Sequence, residues 1–323
     1  MNTMNAMNAM NAMTVSMDQP HIEVLAHHGR SFHLASHFLP QFAREDAAML
    51  YAFCRYVDDI ADETPDPNVA RDALRAVRAD MQAVYPRDRL VKELVALAAK
   101  TELDLEAADQ LVEGVESDLS SVLFADDQDL IRYCYRVAGT VGVMMCAVLR
   151  VRNEAAIHFA IDLGIGMQLT NICRDVAEDA ERNRVYLPAD RLERAGTSSE
   201  AVLNGEASGE SVAVVVRDLL ELADRYYASA DAGMRAIPMP ARAAILVASR
   251  VYRAIGLRLL RVHGGNPLHG RTVVPTVTRL FWALCGVGRL LWPSFWSKRL
   301  PAHDRSLHAL LSGLPRVDDR RSC

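Results

Sequence analysis

Two acidic clusters, each embedded in apolar helical text and more than a hundred residues apart, constrain this 323-residue chain more than any other feature. The first is Asp58, Asp59 and Asp62 in YAFCRYVDDIADE, and the second is Asn171, Asp175 and Asp179 in QLTNICRDVAEDAERNRVYLP. Asp58 and Asp62 are four residues apart, so on a helix they share a face, and Asn171, Asp175 and Asp179 do the same. Carboxylates stacked at that spacing repel each other and are disfavoured among apolar neighbours. Cations between them relieve both penalties. Hard divalent cations with oxygen ligands, shared with substrate phosphates, suit such an arrangement.

The surroundings decide how much weight the clusters bear. Tyr51, Arg55, Asp58 and Asp62 form one stripe, with Asp59 beside it. A DDxxD pattern by itself mostly marks a solvated face with an Arg–Asp pair. Here Leu50, Phe53, Cys54, Tyr56, Val57 and Ile60 leave little of the helix free to face water. Gln168, Asn171, Asp175 and Asp179 form the second stripe, close to Glu178, after the nearly all-apolar text AIDLGIGMQLTNIC. An amide and two carboxylates suit magnesium. Arg182, Arg184 and Tyr186 follow, and the cations there fit either i,i+4 salt bridges or diphosphate oxygens. Two acidic stripes facing each other across a bundle would hold several magnesium ions, and those would draw a diphosphate away as a leaving group. Apolar helical walls would enclose a long hydrocarbon and keep water from a carbocation.

Sparse Gly and Pro through 41–163 and the lack of sustained period-two alternation predict an all-α chain. Helices are expected over about 31–39, 42–61, 68–84, 88–99, 104–121, 127–149, 153–179, 210–236 and 240–263, with a break at 196–209. No break is long enough for an interdomain linker, so one domain over 21–298 is expected. Residues 1–20, with their Met-Asn-Ala repeat, read as a disordered low-complexity terminus, and 299–323 as a flexible tail. The segment 128–149 is apolar on nearly all faces and predicts a central helix. Gly139 and Gly142 within it imply either room for something close to the backbone or close helix–helix packing. A net charge of −5 with interspersed signs does not suit a nucleic-acid partner. Six cysteines without metal-site spacing read as reduced thiols of a cytoplasmic protein.

The residues also carry a family resemblance. GRSFHLAS, LYAFCRYVDDIADE, YCYRVAGTVGVMM, LGIGMQLTNICRDVAEDAERNRVYLP and ASRVYRAIG resemble the squalene/phytoene synthase family over about residues 25 to 275, and YCYRVAGTVGVMM is most similar to its bacterial phytoene synthases. The resemblance implies an isoprenoid-synthase-type helical bundle with a central cavity. It implies a prenyltransferase of carotenoid biosynthesis that joins two geranylgeranyl diphosphates head to head through prephytoene diphosphate to phytoene. By that resemblance Asp58, Asp62, Asn171, Asp175 and Asp179 bind magnesium (manganese is the other candidate), and Asp59 supports the first cluster. Ser31, Arg55, Arg174, Arg184, Tyr252 and Arg271 match positions near the diphosphates, while Tyr51, Tyr133, Gln168 and Tyr186 line the cavity near the cation. No nicotinamide cofactor is expected, since Gly164-Ile-Gly166 lacks the rest of a dinucleotide fingerprint. The first cluster reads DDIAD, not the DTxED of squalene synthases. The same chemistry on farnesyl diphosphate, to presqualene diphosphate, dehydrosqualene or squalene, is the alternative. A terpene cyclase or head-to-tail elongase shares the metal logic, and a non-catalytic prenyl-lipid-binding protein is the reading from another class. Finally, Trp282, Trp292 and Trp296 among basic residues in 277–299 fit either a last packed helix or a peripheral membrane contact, where product would pass to a downstream desaturase.

Overall fold

A computed structural model describes residues 21–28, 35–239, 241–291 and 299–318. Its helices are α1 (His21–His28), α2 (Gln41–Glu63), α3 (Pro67–Met81), α4 (Arg89–Thr101), α5 (Leu105–Ser117), α6 (Asp127–Cys134), α7 (Thr140–Val148), α8 (Ala156–Glu181), α9 (Ala189–Arg194), α10 (Ser199–Leu203), α11 (Gly209–Gly233), α12 (Ala241–His263) and α13 (Thr276–Gly288). Local chemistry explains where many of them start. Asp66, Asp88, Asp104 and Asp126 each accept a backbone N–H at the first turn of α3, α4, α5 and α6, and Ser198 and Ser208 do so for α10 and α11. Pro40, held extended at φ −62° and ψ 153°, precedes α2.

The fold is the all-α bundle expected, with α8 at its centre, packed on α11, α12, α7 and the turn before α7. Its apolar text becomes buried residues on several sides, among them Phe159, Ile161, Ile165, Leu169, Ile172 and Cys173. Inside, Thr170 Oγ1 meets the Tyr227 hydroxyl at 3.0 Å and fixes α8 to α11.

The segment expected as one helix over 127–149 is in fact three pieces. Between α6 and α7 lies a π-helical turn, Tyr135–Gly139. Glycines set how closely this segment crosses α8. A Cβ on Gly142 would lie 2.3 Å from the Ala160 carbonyl oxygen, and one on Gly164 would lie 2.2 Å from that of Ala138. The pairing is therefore close helix–helix packing, and Gly142 and Gly164 also face the central cavity.

Two other expectations are corrected. The stretch 196–209 is not an uninterrupted break, because Ser198 caps the short helix α10 and Val202 is buried beneath it. A two-residue parallel pairing, β1 (Val122–Leu123) with β2 (Arg184–Val185), ties the chain after α8 to the loop after α5. The tail expected from 299 is packed over 299–318. It forms a 3₁₀ turn, Arg305–Leu311, and buries Leu307, Leu311, Leu314 and Val317. The Tyr226 hydroxyl donates to the Leu307 carbonyl at 2.8 Å, the Tyr135 hydroxyl donates to the Pro315 carbonyl, and Arg316 pairs with Asp104 at 2.6 Å.

Residues 1–20, Ser31, Trp292, Trp296 and Cys323 lie outside the described residues. The other five cysteines are free thiols. Among the described residues no helix is long and apolar enough to cross a membrane.

Candidate active site

Two helices set the site. On α2, Ala47, Leu50, Tyr51, Cys54 and Asp58 face one cavity, and on α8 Ala156, Phe159, Ala160, Leu163, Met167, Gln168 and Asn171 face it from the other side. Both sets follow the three-and-four spacing of one helical face. On each helix the lining is apolar toward the N-terminal end and turns polar toward the C-terminal end. Ala244, Ile245, Ala248 and Tyr252 of α12 close a third side. The space holds about 1630 Å³ free of atoms, its open mouth included.

At the polar end a second chamber begins. Asp58, Asp62, Asp118, Tyr133, Gln168, Asn171, Asp175, Asp179, Arg182, Arg184 and Tyr186 line it. Asp58, Gln168 and Asn171 face both spaces, so the acidic chamber opens straight into the apolar cavity. The two clusters that the sequence separates by more than a hundred residues therefore share one wall.

The arginines are distributed unevenly. Arg184 Nη1 donates to Asp62 Oδ1 at 2.9 Å and Arg182 Nη1 donates to Asp62 Oδ2 at 3.2 Å, so second-cluster cations reach across to a first-cluster carboxylate. Arg174 forks onto Asp175, with Nε at 2.6 Å from Oδ1. Arg271 lies 3.3 Å from Asp175 and 3.2 Å from Glu178. Arg55 is ion-paired with Asp59, and neither lines the acidic chamber. Asp59 thus holds an arginine beside the first cluster. Tyr51 and Tyr252 line the apolar cavity, while Tyr133 and Tyr186 stack on each other in the chamber, ring centres 5.0 Å apart.

Electrostatics separate the carboxyls. Burial, with repulsion from Asp62 and despite Arg55, pushes Asp58 up to about 7. Burial and the charge of Asp175 push Asp179 up to about 7 as well. Burial raises Asp118 to about 6, with Arg184 and the tyrosine hydroxyls opposing it. The Tyr133 and Tyr186 phenols are pushed up by burial and keep their protons.

Asp118 is the residue that sequence reasoning missed. It caps the C-terminal end of α5, and its Oδ2 accepts the Tyr133 hydroxyl at 2.8 Å. In VESDLSSVLF no acidic or amide residue lies three or four positions from it, so helical spacing does not flag it.

The donor set fits divalent cations. Asn171 Oδ1 and Asp118 Oδ1 are buried with no hydrogen-bond partner among the described residues, and Asp58 and Asp179 are poorly solvated for an anion. Oxygen donors in that condition gain from a hard cation what they lack from water or protein. Asp58, Asp62, Asn171, Asp175 and Asp179 line the chamber in which such a cation would sit.

The family model described as squalene/phytoene synthase matches residues 25–278. A 15-cis-phytoene synthase of Paracoccus sp. (strain N81106 / MBIC 01143) is 36% identical over 276 residues, covering 82% of this chain and 88% of that one. A phytoene synthase of Rhodobacter capsulatus is 36% identical over 243 residues, covering 73% and 71%. Among solved structures, a dehydrosqualene synthase in complex with ligand superposes with a TM-score of 0.75 at 24% identity, covering 88% of this chain and 99% of that one. The squalene synthase HpnC from Alicyclobacillus acidocaldarius gives 0.65 at 24% identity, covering 76% and 95%. These two share the fold.

Proposed function

This chain belongs to the squalene/phytoene synthase family, and we propose that it joins two geranylgeranyl diphosphates head to head, through prephytoene diphosphate, to phytoene. It is a prenyltransferase of the phytoene synthase type, of carotenoid biosynthesis. The observation that carries this reading is the junction at Asp58, Gln168 and Asn171, where an acidic chamber meets a long apolar cavity.

The chain's residues divide the work by position. Asp58, Asp62, Asn171, Asp175 and Asp179 would hold magnesium, or manganese in its place. When bound, the metal supplies Lewis acidity toward diphosphate oxygens and so stabilises the leaving group. Arg174, Arg182, Arg184 and Arg271 stand against the acidic residues and would turn to diphosphate oxygens as substrate enters. Arg55, oriented by Asp59, and Tyr252 stand beside them, and Ser31 belongs to the same proposal. The apolar walls from α2, α8 and α12 hold the prenyl chains and exclude water, which would otherwise capture the cation as an alcohol. The faces of Tyr51, Tyr133 and Tyr186 and the amide of Gln168 offer electron density without a basic group that would quench the cation early. No nicotinamide cofactor enters this scheme.

A surface feature extends the reading. On α13, Val277, Leu280, Phe281 and Leu284 are exposed in one stripe. A lipid surface suits that stripe, and an apolar product would leave there for the bilayer and a downstream desaturase.

The test is a product assay on purified protein with magnesium and no nicotinamide. Geranylgeranyl and farnesyl diphosphate are supplied separately, and hexane extracts are read by mass. A C40 hydrocarbon from the C20 substrate is the expected result. A C30 hydrocarbon, or presqualene diphosphate, from the C15 substrate alone would move the chain to the squalene-like branch. Consumption of neither would refute the enzyme reading.

A further inference from the structure

At the far end of α8 from the acidic chamber lies a second cluster of ligating side chains. His158 comes from α8, and His303 and His308 from the packed C-terminal segment. One ring nitrogen from each lies within 4.8 Å of the other two. The rings crowd together, with centres 4.4 Å apart for His303 and His308, 5.3 Å for His158 and His303, and 5.5 Å for His158 and His308. His308 is buried and the other two are half-buried.

Behind them sits Asp162, fully buried one turn along α8 from His158. Its Oδ2 is 2.8 Å from His303 Nε2, its Oδ1 is 2.8 Å from His308 Nε2, and Ser229 Oγ donates to Oδ2 at 2.5 Å. An ionised carboxylate only accepts, so Nε2 is the donor on both rings. In a neutral imidazole the lone pair then lies on Nδ1. A carboxylate that fixes the tautomer of two histidines and leaves the other nitrogens for a cation is the arrangement found behind metal-bound histidines.

We propose that His158, His303 and His308 bind one divalent cation of the zinc class, with Asp162 orienting two of the three ligands. Three imidazoles and a water complete a tetrahedral site. Zinc–nitrogen bonds near 2.0–2.1 Å would bring the nitrogens to about 3.3 Å of one another, so the rings would close in from a spacing of up to 4.8 Å. Oxygen donors define the acidic chamber, whereas imidazole defines this cluster, so the two select different metals. Asp162 and Asp175 are 13 residues apart on α8 (175 − 162), or about 20 Å. The ion would pin the C-terminal segment to α8. His303 packs edge-on against Phe159 with ring centres 5.2 Å apart, and Phe159 lines the deep end of the apolar cavity. The cation would thus brace the cavity floor without touching the chemistry.

Cobalt(II) tests the site on the full chain, stripped of metal and held in excess magnesium. One equivalent should give the intense visible absorption of a tetrahedral, nitrogen-ligated ion, and one equivalent of zinc should bleach it. His158→Phe keeps a ring stacked on His303 but removes both nitrogens. It should lower cobalt affinity at least about tenfold and lose the band, with circular dichroism unchanged. Asp175→Asn should leave the band intact. If His158→Phe does not fold, the wild-type titration alone decides. A pale, oxygen-ligated spectrum in the wild type overturns the site, and so does a band that survives in a folded His158→Phe or disappears in Asp175→Asn. In those cases the cluster is a hydrogen-bonded clasp and nothing more.

Discussion

Asp118 shows how a single side chain can belong to a site that no sequence pattern announces. Asp58 and Asp62, and Asn171, Asp175 and Asp179, were legible because a helix repeats every 3.6 residues and apolar neighbours make repeated carboxylates costly. Asp118 has no such partner along the chain and joins the others only through the fold, where it accepts the Tyr133 hydroxyl and faces Asp62 and Arg184. Asp118→Asn should lower turnover about 10- to 100-fold, the usual effect of a group that orients metal or diphosphate ligands. The helical circular dichroism should stay unchanged, and a wild-type rate in the assay would remove Asp118 from the site. A second outcome at this scale concerns protons. Asp58 and Asp179 hold theirs to about pH 7 in the folded, metal-free chain, against 3.8 ordinarily. Between those values the folded state binds more protons than the unfolded state, so stability falls as pH rises. Asp162 shifts the opposite way, below 3.8, and titrates outside that window. With chelator present, the melting temperature should therefore drop between about pH 5 and about pH 8, since each tenfold difference in proton affinity between the two states is worth about 1.4 kcal/mol. Magnesium should recover more of it at the higher pH. A flat or rising melting curve in chelator would contradict the burial assigned to these carboxyls.

Along single helices, Tyr51 and Asp58 of the α2 stripe and Gln168 and Asn171 of the α8 stripe line the cavity, whereas Asp62, Asp175 and Asp179 line only the acidic chamber and Arg55 lines neither. On α8 the run from Ala156 to Asn171 spans 15 residues (171 − 156), about 22 Å at helical rise. Substrate length is therefore read against a wall whose polar end is fixed by Asn171 and whose deep end is Phe159 and Ala156. Ala160 lies on that wall near the deep end, with Gly142 pressed against its backbone. Ala160→Phe should shorten the cavity, so that geranylgeranyl diphosphate is used at least about tenfold more slowly while farnesyl diphosphate is spared. That ratio is within what a missing or blocked stretch of apolar pocket supplies. Equal loss on both substrates, measured side by side, would mean the deep end does not set chain length. What the sequence hid at this scale has local causes. The π-helical turn at Tyr135–Gly139 changes only which carbonyl each N–H reaches, and no residue type in YRVAG demands it. Helix α10 is short and buries little beyond Val202, so its Ser- and Gly-rich flanks dominated the reading.

Across the molecule, the largest misreading is the C-terminal segment, and distance along the chain explains it. Leu307, Leu311 and Leu314 sit among charged residues that suggest a solvated tail, while the groups that hold them, Tyr135, Tyr226, Asp162 and Asp104, lie roughly 80 to 210 residues earlier. Nothing local announces such partners. The segment just before it was left open between a last packed helix and a peripheral membrane contact, and over Thr276–Gly288 it is a helix. On α13, Ala283 and Gly286 turn inward, with Gly286 close against the Leu246 backbone of α12. The opposite face carries Val277 at 81% exposure, Leu284 at 64%, Phe281 at 58% and Leu280 at 55%. Large apolar side chains so exposed, contiguous and on one helix are costly in water and mark a contact surface. Fully burying each is worth roughly 1.5–3 kcal/mol, so three of them far exceed the roughly 1.4 kcal/mol that makes a tenfold change in partitioning. Leu280→Ser, Phe281→Ser and Leu284→Ser combined should therefore cut co-sedimentation with phospholipid vesicles at least about tenfold. Because these side chains face away from α12, the melting temperature should hold, and so should turnover of detergent-dispersed substrate. Partitioning equal to wild type would show that lipid is not what this face meets. Lost turnover in detergent would show instead that α13 supports the cavity through α12.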